Sequence, residues 1–240
     1  MWPFKKKSAD HALKELVEGL SAVLGGRLVS VLIFGSKASG EYREGRSNVN
    51  VLIVLESVSE ESLRSMEGPV RTWVKGGHPP PVFLPEAQLK FYADNLPIEF
   101  LDMQDHHKVL YGTSDPLQNL VVDRTHLRAQ CTQELSVKLL KLRQGLVLVH
   151  GDPKRLRELL LDSLPSILTL FRAALRLESE VPKGDKIVAA KELAGRAGFD
   201  GDVLERLWDL HLRRQTDNLP DLAWEYLEGV ERVLSHVSKR

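Results

Sequence analysis

The sequence predicts a composite fold, an α+β unit followed by an all-α bundle, and three observations predict it. Helical and strand patterns alternate up to about residue 112. From Asp115 onward only helical periodicity remains, with leucine dominating the apolar positions. Short breaks rich in Gly, Pro, Asn and Asp punctuate that second half, which suits antiparallel helices on short connections. The composition shift near 113–120 sets the expected domains at 1–115 and 116–240.

Each element has a local reason. Ser8 is placed to cap a helix carrying Leu13, Leu16, Val17, Leu20, Val23 and Leu24, and Gly25-Gly26 ends it. "RLVSVLIF" (27–34) reads as a strand broken by Gly35-Ser36. "KASGEYREG" (37–45) is polar, with Gly40 and Gly45 limiting any helix. "NVNVLIVLE" (48–56) reads as a second strand. Residues 59–76 start as a capped helix that Gly68-Pro69 is expected to interrupt. "PVFL" (81–84) reads as a strand and "PEAQLKFYADN" (85–95) as a short helix. "PIEFLDM" (97–103) is read as a strand and "KVLYG" (108–112) as a further short strand or turn. The candidate helices beyond are 121–147, 152–179, 184–197, 200–214 and 218–238, with Trp208, Trp224 and Tyr226 expected in the bundle core.

Composition narrows the function classes. Hydrophobic residues make up 42% and charged residues 28% of 240, ordinary for a globular chain. Formal net charge is +0, so no overall basic field points to nucleic acid. The single cysteine, Cys131, excludes an intrachain disulfide and reads as a buried thiol. No apolar run reaches the length of a membrane span. The basic, aromatic start, Met1 to Lys7, is read as a soluble terminus, and the expected location is cytoplasmic.

The most informative stretch is "FGSKASGEYREGRSNVNVLIVLE" (34–56). Glycine at a strand end lets the backbone approach a ligand, and a following helix start offers free N–H groups. A Gly-Ser pair there is also a common turn. The whole stretch resembles the signature of the nucleotidyltransferase superfamily related to DNA polymerase β. That signature is an apolar strand, Gly-Ser, a polar segment of about ten residues, then Ser-Asp-x-Asp leading a second strand. Gly35 and Ser36 fill the first pair, and Ser47, Asn48, Val49 and Asn50 fill the second element. The resemblance covers residues 27–112 best. The helical half is similar in architecture to the domain that follows this core in bacterial antibiotic- and small-molecule-modifying members.

The resemblance implies a nucleotidyltransferase-like mixed sheet with flanking helices, and a site for ATP or another NTP. In active members two aspartates on one strand face hold two Mg²⁺ ions, and a third carboxylate comes from a later strand. Glu99 in "PIEFLDM" is the first choice for that acid here and Asp102 the second; both also read as surface acids. Gly35, Ser36 and Lys37 are the expected nucleotide-binding residues, with Lys37 supplying a point cation or lying on the surface. Asn48 and Asn50 have lost the charge that Mg²⁺ prefers. Glu41 and Glu44 are the only acids in the intervening segment. Mg²⁺ binding is therefore expected to be weak or absent, and the chain reads as a degenerate member, a pseudoenzyme binding a nucleotide or a partner. The alternative is an active enzyme moving a nucleoside monophosphate to a small molecule or protein. A protein partner or homodimer stays open.

Two further patterns carry less. Asp102, Asp105, His106 and His107 lack metal-ligand spacing and read as a polar loop. Arg206 and His211 match the Arg-x4-His spacing of HEPN ribonucleases, but Leu207 follows where that family prefers a polar residue. The basic residues Arg124, Arg128, Lys138, Lys141 and Arg143 read as a solvated helix face or a phosphate-facing one.

Overall fold

The computed structural model describes residues 8–40, 42, 47–178, 186–212 and 218–239. Glu41, Glu44 and the Met1 to Lys7 start lie outside them. The chain forms two compact units, the first running through Val122 and the second starting at Asp123.

In the first unit, α1 (Ala9–Leu24) starts where the Ser8 hydroxyl accepts the His11 N–H and buries Leu13, Leu16, Leu20 and Leu24. Strand β1 (Leu28–Phe34) leads through Gly35 into a single helical turn, α2 (Ser36–Ser39). After β2 (Asn50–Leu55) comes α3 (Glu60–Lys75), capped by Ser59 and Ser62 together. Then follow β3 (Val82–Pro85), α4 (Leu89–Asn95), α5 (Pro97–Asp105) and β4 (His107–Tyr111). The sheet order is β3-β2-β1-β4. β1 is antiparallel to both β2 and β4, and β2 is parallel to β3.

Strand alternation gives the sheet two buried faces, which is why β1 and β2 read as nearly continuous apolar runs. Val31, Ile33, Val51, Ile53 and Leu55 pack with residues of α1 and α3, among them Leu16, Leu20, Met66 and Trp73. Leu32, Leu52 and Val54 pack with Leu89, Ala93, Phe100, Met103 and Leu117 on the other side. Leu117 brings the segment after β4 into this core, and Gln104 Nε2 holds it by donating to the Leu117 and Leu120 carbonyls.

Two sequence expectations change here. "PIEFLDM" is helical, not a strand: Pro97 opens α5, and Ile98, Phe100 and Met103 go into the core. The short apolar pattern suits either period, and Pro at a first helical turn decides it. Helix α3 runs unbroken through Pro69. The ring fits because Gly19 of α1 lies opposite; a Cβ on Gly19 would stand 3.2 Å from Pro69 Cβ and Cγ.

The second unit is helical: α6 (Arg124–Leu148), α7 (Pro153–Leu175), α8 (Lys186–Ala197), α9 (Asp202–His211) and α10 (Leu219–Ser238). Side chains of Asp123, Asp152 and Asn218 cap α6, α7 and α10. α6 buries Leu127, Cys131, Leu135, Leu139 and Leu142 at helical spacing, and α7 packs against α6, α8 and α10. Tyr226 is buried on the α10 stripe that also carries Leu222, Val230 and Val233. Trp224 is not in the core as expected: it lies two residues off that stripe and is 62% exposed. Trp208 is half-buried and stacks on His211.

Candidate functional site

The end of β1 organises the candidate site. Phe34 pairs with Asn50 on one side and with His107 on the other. Directly opposed residues share a face, so Asn50, Phe34 and His107 form one row across three strands. Neighbouring strands lie about 4.8 Å apart, so Asn50 and His107 are separated by about 10 Å across that row. Val49 and Val51 point into the α1 and α3 core. By alternation Asn50 projects to the opposite face, and Asn48 precedes it in the same phase. Asn48 is exposed and Asn50 half-buried.

Gly35 locks the row. Its φ is +72°, a region that disfavours side chains. A Cβ added to it would stand 3.3 Å from Asn50 Nδ2. Its N–H donates to the His106 carbonyl at 2.9 Å, and its carbonyl accepts the N–H groups of Ala38 and Ser39. The Gly-Ser turn thus ties the end of β1 to the start of β4. Ser36 opens the following turn and its carbonyl accepts the Ser39 hydroxyl. The Lys37 ammonium is committed elsewhere: it is 2.8 Å from Asp10 on α1 and 4.8 Å from the Tyr42 ring centroid.

Glu99 is exposed on the first turn of α5, and Asp102 is half-buried on the same helix. Neither is on a strand. On the other side of β1 from β2 lies β4, and its residue in the row is His107, in a strand rather than the expected polar loop. The signal was the register from Gly35, and it needed the β4 start. His107 is largely buried, with both ring nitrogens engaged. Nδ1 lies 3.0 Å from the Met103 carbonyl oxygen and 3.2 Å from that of Gln104. Nε2 lies 2.7 Å from Asp115 Oδ2, and Asp115 Oδ1 accepts the Leu117 N–H at 2.9 Å.

This donor set does not fit the Mg²⁺ pair of the active fold. Mg²⁺ is a hard cation held through carboxylates and phosphate oxygens. Here the two positions that lead β2 are neutral carboxamides. Among the described residues no group of three His, Cys, Asp or Glu side chains is placed to hold a metal. The same change removes repulsion. Like charges 4 Å apart interact by about 4 kcal/mol at an effective dielectric near 20, so each absent carboxylate matters to a bare phosphate.

The helical unit holds no comparable constellation among its described residues. A cavity of about 470 Å³ is lined by Glu228, Glu231, Arg232 and His236 among others. Its walls are ion-paired, His236 with Glu178 and Arg232 with Glu228, which explains the charges without a ligand. Of the basic residues on α6, Arg128 donates to the Val237 carbonyl and Arg143 pairs with Glu231. Arg206 pairs with Glu225.

No protein-family model and no curated protein matches the chain. Among solved structures it is similar to the spectinomycin adenyltransferase AAD(9) from Enterococcus faecialis, in a crystal structure with ATP and spectinomycin. The TM-score is 0.56 at 13% identity, and the likeness covers 96% of this chain and 99% of that one. It therefore runs through both the sheet unit and the helical unit. No helix among the described residues is long and apolar enough to cross a membrane. With the mixed sheet, the Gly35 turn and a structural likeness over nearly the whole chain, this protein has the nucleotidyltransferase fold.

Proposed function

We propose that this chain binds a nucleotide, ATP or another NTP, on a nucleotidyltransferase fold that has lost efficient metal-dependent transfer. The observation that carries the reading is that Asn48 and Asn50, two neutral carboxamides, lead β2 where the resemblance implies two metal-binding carboxylates. The solved neighbour's ATP supports a nucleotide as the ligand. Gly35 and Ser36 would line the phosphates, with Lys37 joining only on release from Asp10. We place the protein in the cytoplasm of a bacterium, working alone, as a homodimer or with a protein partner. The units divided after Val122 would act as nucleotide and acceptor or partner domains.

The likeness to a working transferase over both units favours a second reading, in which the chain still moves a nucleoside monophosphate to a small molecule or protein. Thermal shifts with each NTP, run beside an assay for pyrophosphate release in Mg²⁺, separate the two. A nucleotide that binds only the folded state must raise the Tm. A shift without pyrophosphate release is the expected result. Release at ordinary enzyme rates establishes the second reading, and no shift with any nucleotide overturns both.

A further inference from the structure

The outer face of the helical unit carries apolar side chains that the bundle does not use. On α6, Val137, Leu140, Val147 and Leu148 recur at helical spacing away from the buried stripe, and the last two are 78% and 79% exposed. Helix α10 runs antiparallel beside α6. Arg128 near the start of α6 donates to the Val237 carbonyl near the end of α10, and Arg143, further along α6, pairs with the earlier Glu231. Both members of that ion pair reach solvent, so the outward sides of the two helices form one face. Trp224, exposed, lies two turns before Glu231 on the same side of α10.

The charges on this face divide by helix. From Val137 to Leu148, α6 carries Lys138, Lys141 and Arg143 and no acid. From Asp221 to Glu231, α10 carries Asp221, Glu225, Glu228 and Glu231 and no base. Lys141 is exposed and has no ion pair among the described residues. Glu228 and Glu231 pair with Arg232 and Arg143 at the surface, where such pairs are weak and leave the carboxylates open to a second cation.

We propose that this face pairs with the same face of a second copy of the chain, α6 of each copy lying over α10 of the other. The surface is complementary to itself: a two-fold axis along the helix pair brings basic, apolar α6 onto acidic α10 twice. It also makes a four-helix arrangement in which every neighbour is antiparallel. The area suffices. Helix α10 is about 30 Å long and two helices side by side are about 20 Å wide, which gives about 600 Å² per copy. A total of about 1,200 Å² stands at the lower bound of specific interfaces, so a reversible dimer with a micromolar Kd is expected. This pairing does not depend on the nucleotide reading.

Sedimentation velocity of the full-length protein across micromolar concentrations tests it. A wild type that stays monomeric throughout overturns the proposal and leaves the face to a different protein. The double variant L140E with V147E changes only exposed side chains, and glutamate suits a helix. It should keep the wild-type circular dichroism spectrum and sediment as a monomer. A dimer as tight as the wild type's overturns the proposal, because the chain then associates elsewhere. Charge variants test which helices meet. K141E and E228K should each weaken the dimer about tenfold, and the two combined in one chain should recover most of the loss. Losses that add in the combined chain overturn the placing of α6 on α10, and so does an unchanged Kd in all three. Should the double glutamate variant fail to fold, the charge variants decide.

Discussion

Asparagine and aspartate differ by one group and one charge, and the proposed function turns on that difference at positions 48 and 50. Asn48→Asp with Asn50→Asp should create a cation site. Mg²⁺ is expected to raise the Tm of the double variant and leave the wild type unmoved, as a thermal shift without nucleotide would show. Gly35 is constrained twice, by its φ of +72° and by Asn50 Nδ2 beside it. Gly40 shares the backbone constraint at φ +84° but has open space around it. Gly35→Ala should therefore cost more than Gly40→Ala. We expect about 1–2 kcal/mol from the left-handed backbone in each, plus the displacement of Asn50 in the first, read from urea midpoints. A larger loss for Gly40→Ala would contradict this account. The Gly-Ser and Asn-x-Asn positions were legible in the sequence because they form one local motif. His107 was not, because its place depends on pairing with Phe34 across 73 positions of chain.

Elements were legible where a long period or a cap marked them. The helices of the second unit follow their leucine spacing and their Asp and Asn caps. Helix α5 reads as a strand in the sequence because nine residues are too few to separate a helical from a strand period. That error carried Glu99 onto an expected strand. The continuity of α3 was hidden for another reason: a proline in a helix is tolerated when the neighbouring helix makes room, and that neighbour is 50 residues away at Gly19. Gly19→Val should push α1 off α3 and cost about 1–3 kcal/mol in equilibrium unfolding. Adding Pro69→Ala should return part of it, so a double-mutant cycle is expected to be non-additive. Additive effects would mean that the two residues do not meet.

At the scale of the whole molecule, each unit has its own core, and a single unfolding transition is not to be assumed. Two buried groups make the helical unit sensitive to alkali. Burial pushes the Cys131 thiol from about 9 up to about 12, and the Tyr226 phenol is also raised, chiefly by burial. Both are neutral when protonated, so the folded chain holds a proton that the unfolded chain releases. The Cys131 contribution is whole below about pH 9 and the Tyr226 contribution below about pH 10, and each is lost as pH rises beyond that by about 1.4 kcal/mol per pH unit. The urea midpoint of the helical unit should fall steadily above about pH 9, and Cys131→Ala should flatten part of that fall. A midpoint independent of pH across this range would show that the two side chains reach solvent.

The same thiol has a practical use. Cys131 is the chain's single cysteine and is fully buried with its ionisation suppressed, so alkylating labels should pass it by in the native protein. A cysteine introduced at exposed Asn48 and another on exposed Trp224 would then take spin labels without any native thiol being removed. The distance between the two labels, followed as nucleotide is added, would turn the wild-type background into a ruler between the candidate site at the sheet end and the helical unit.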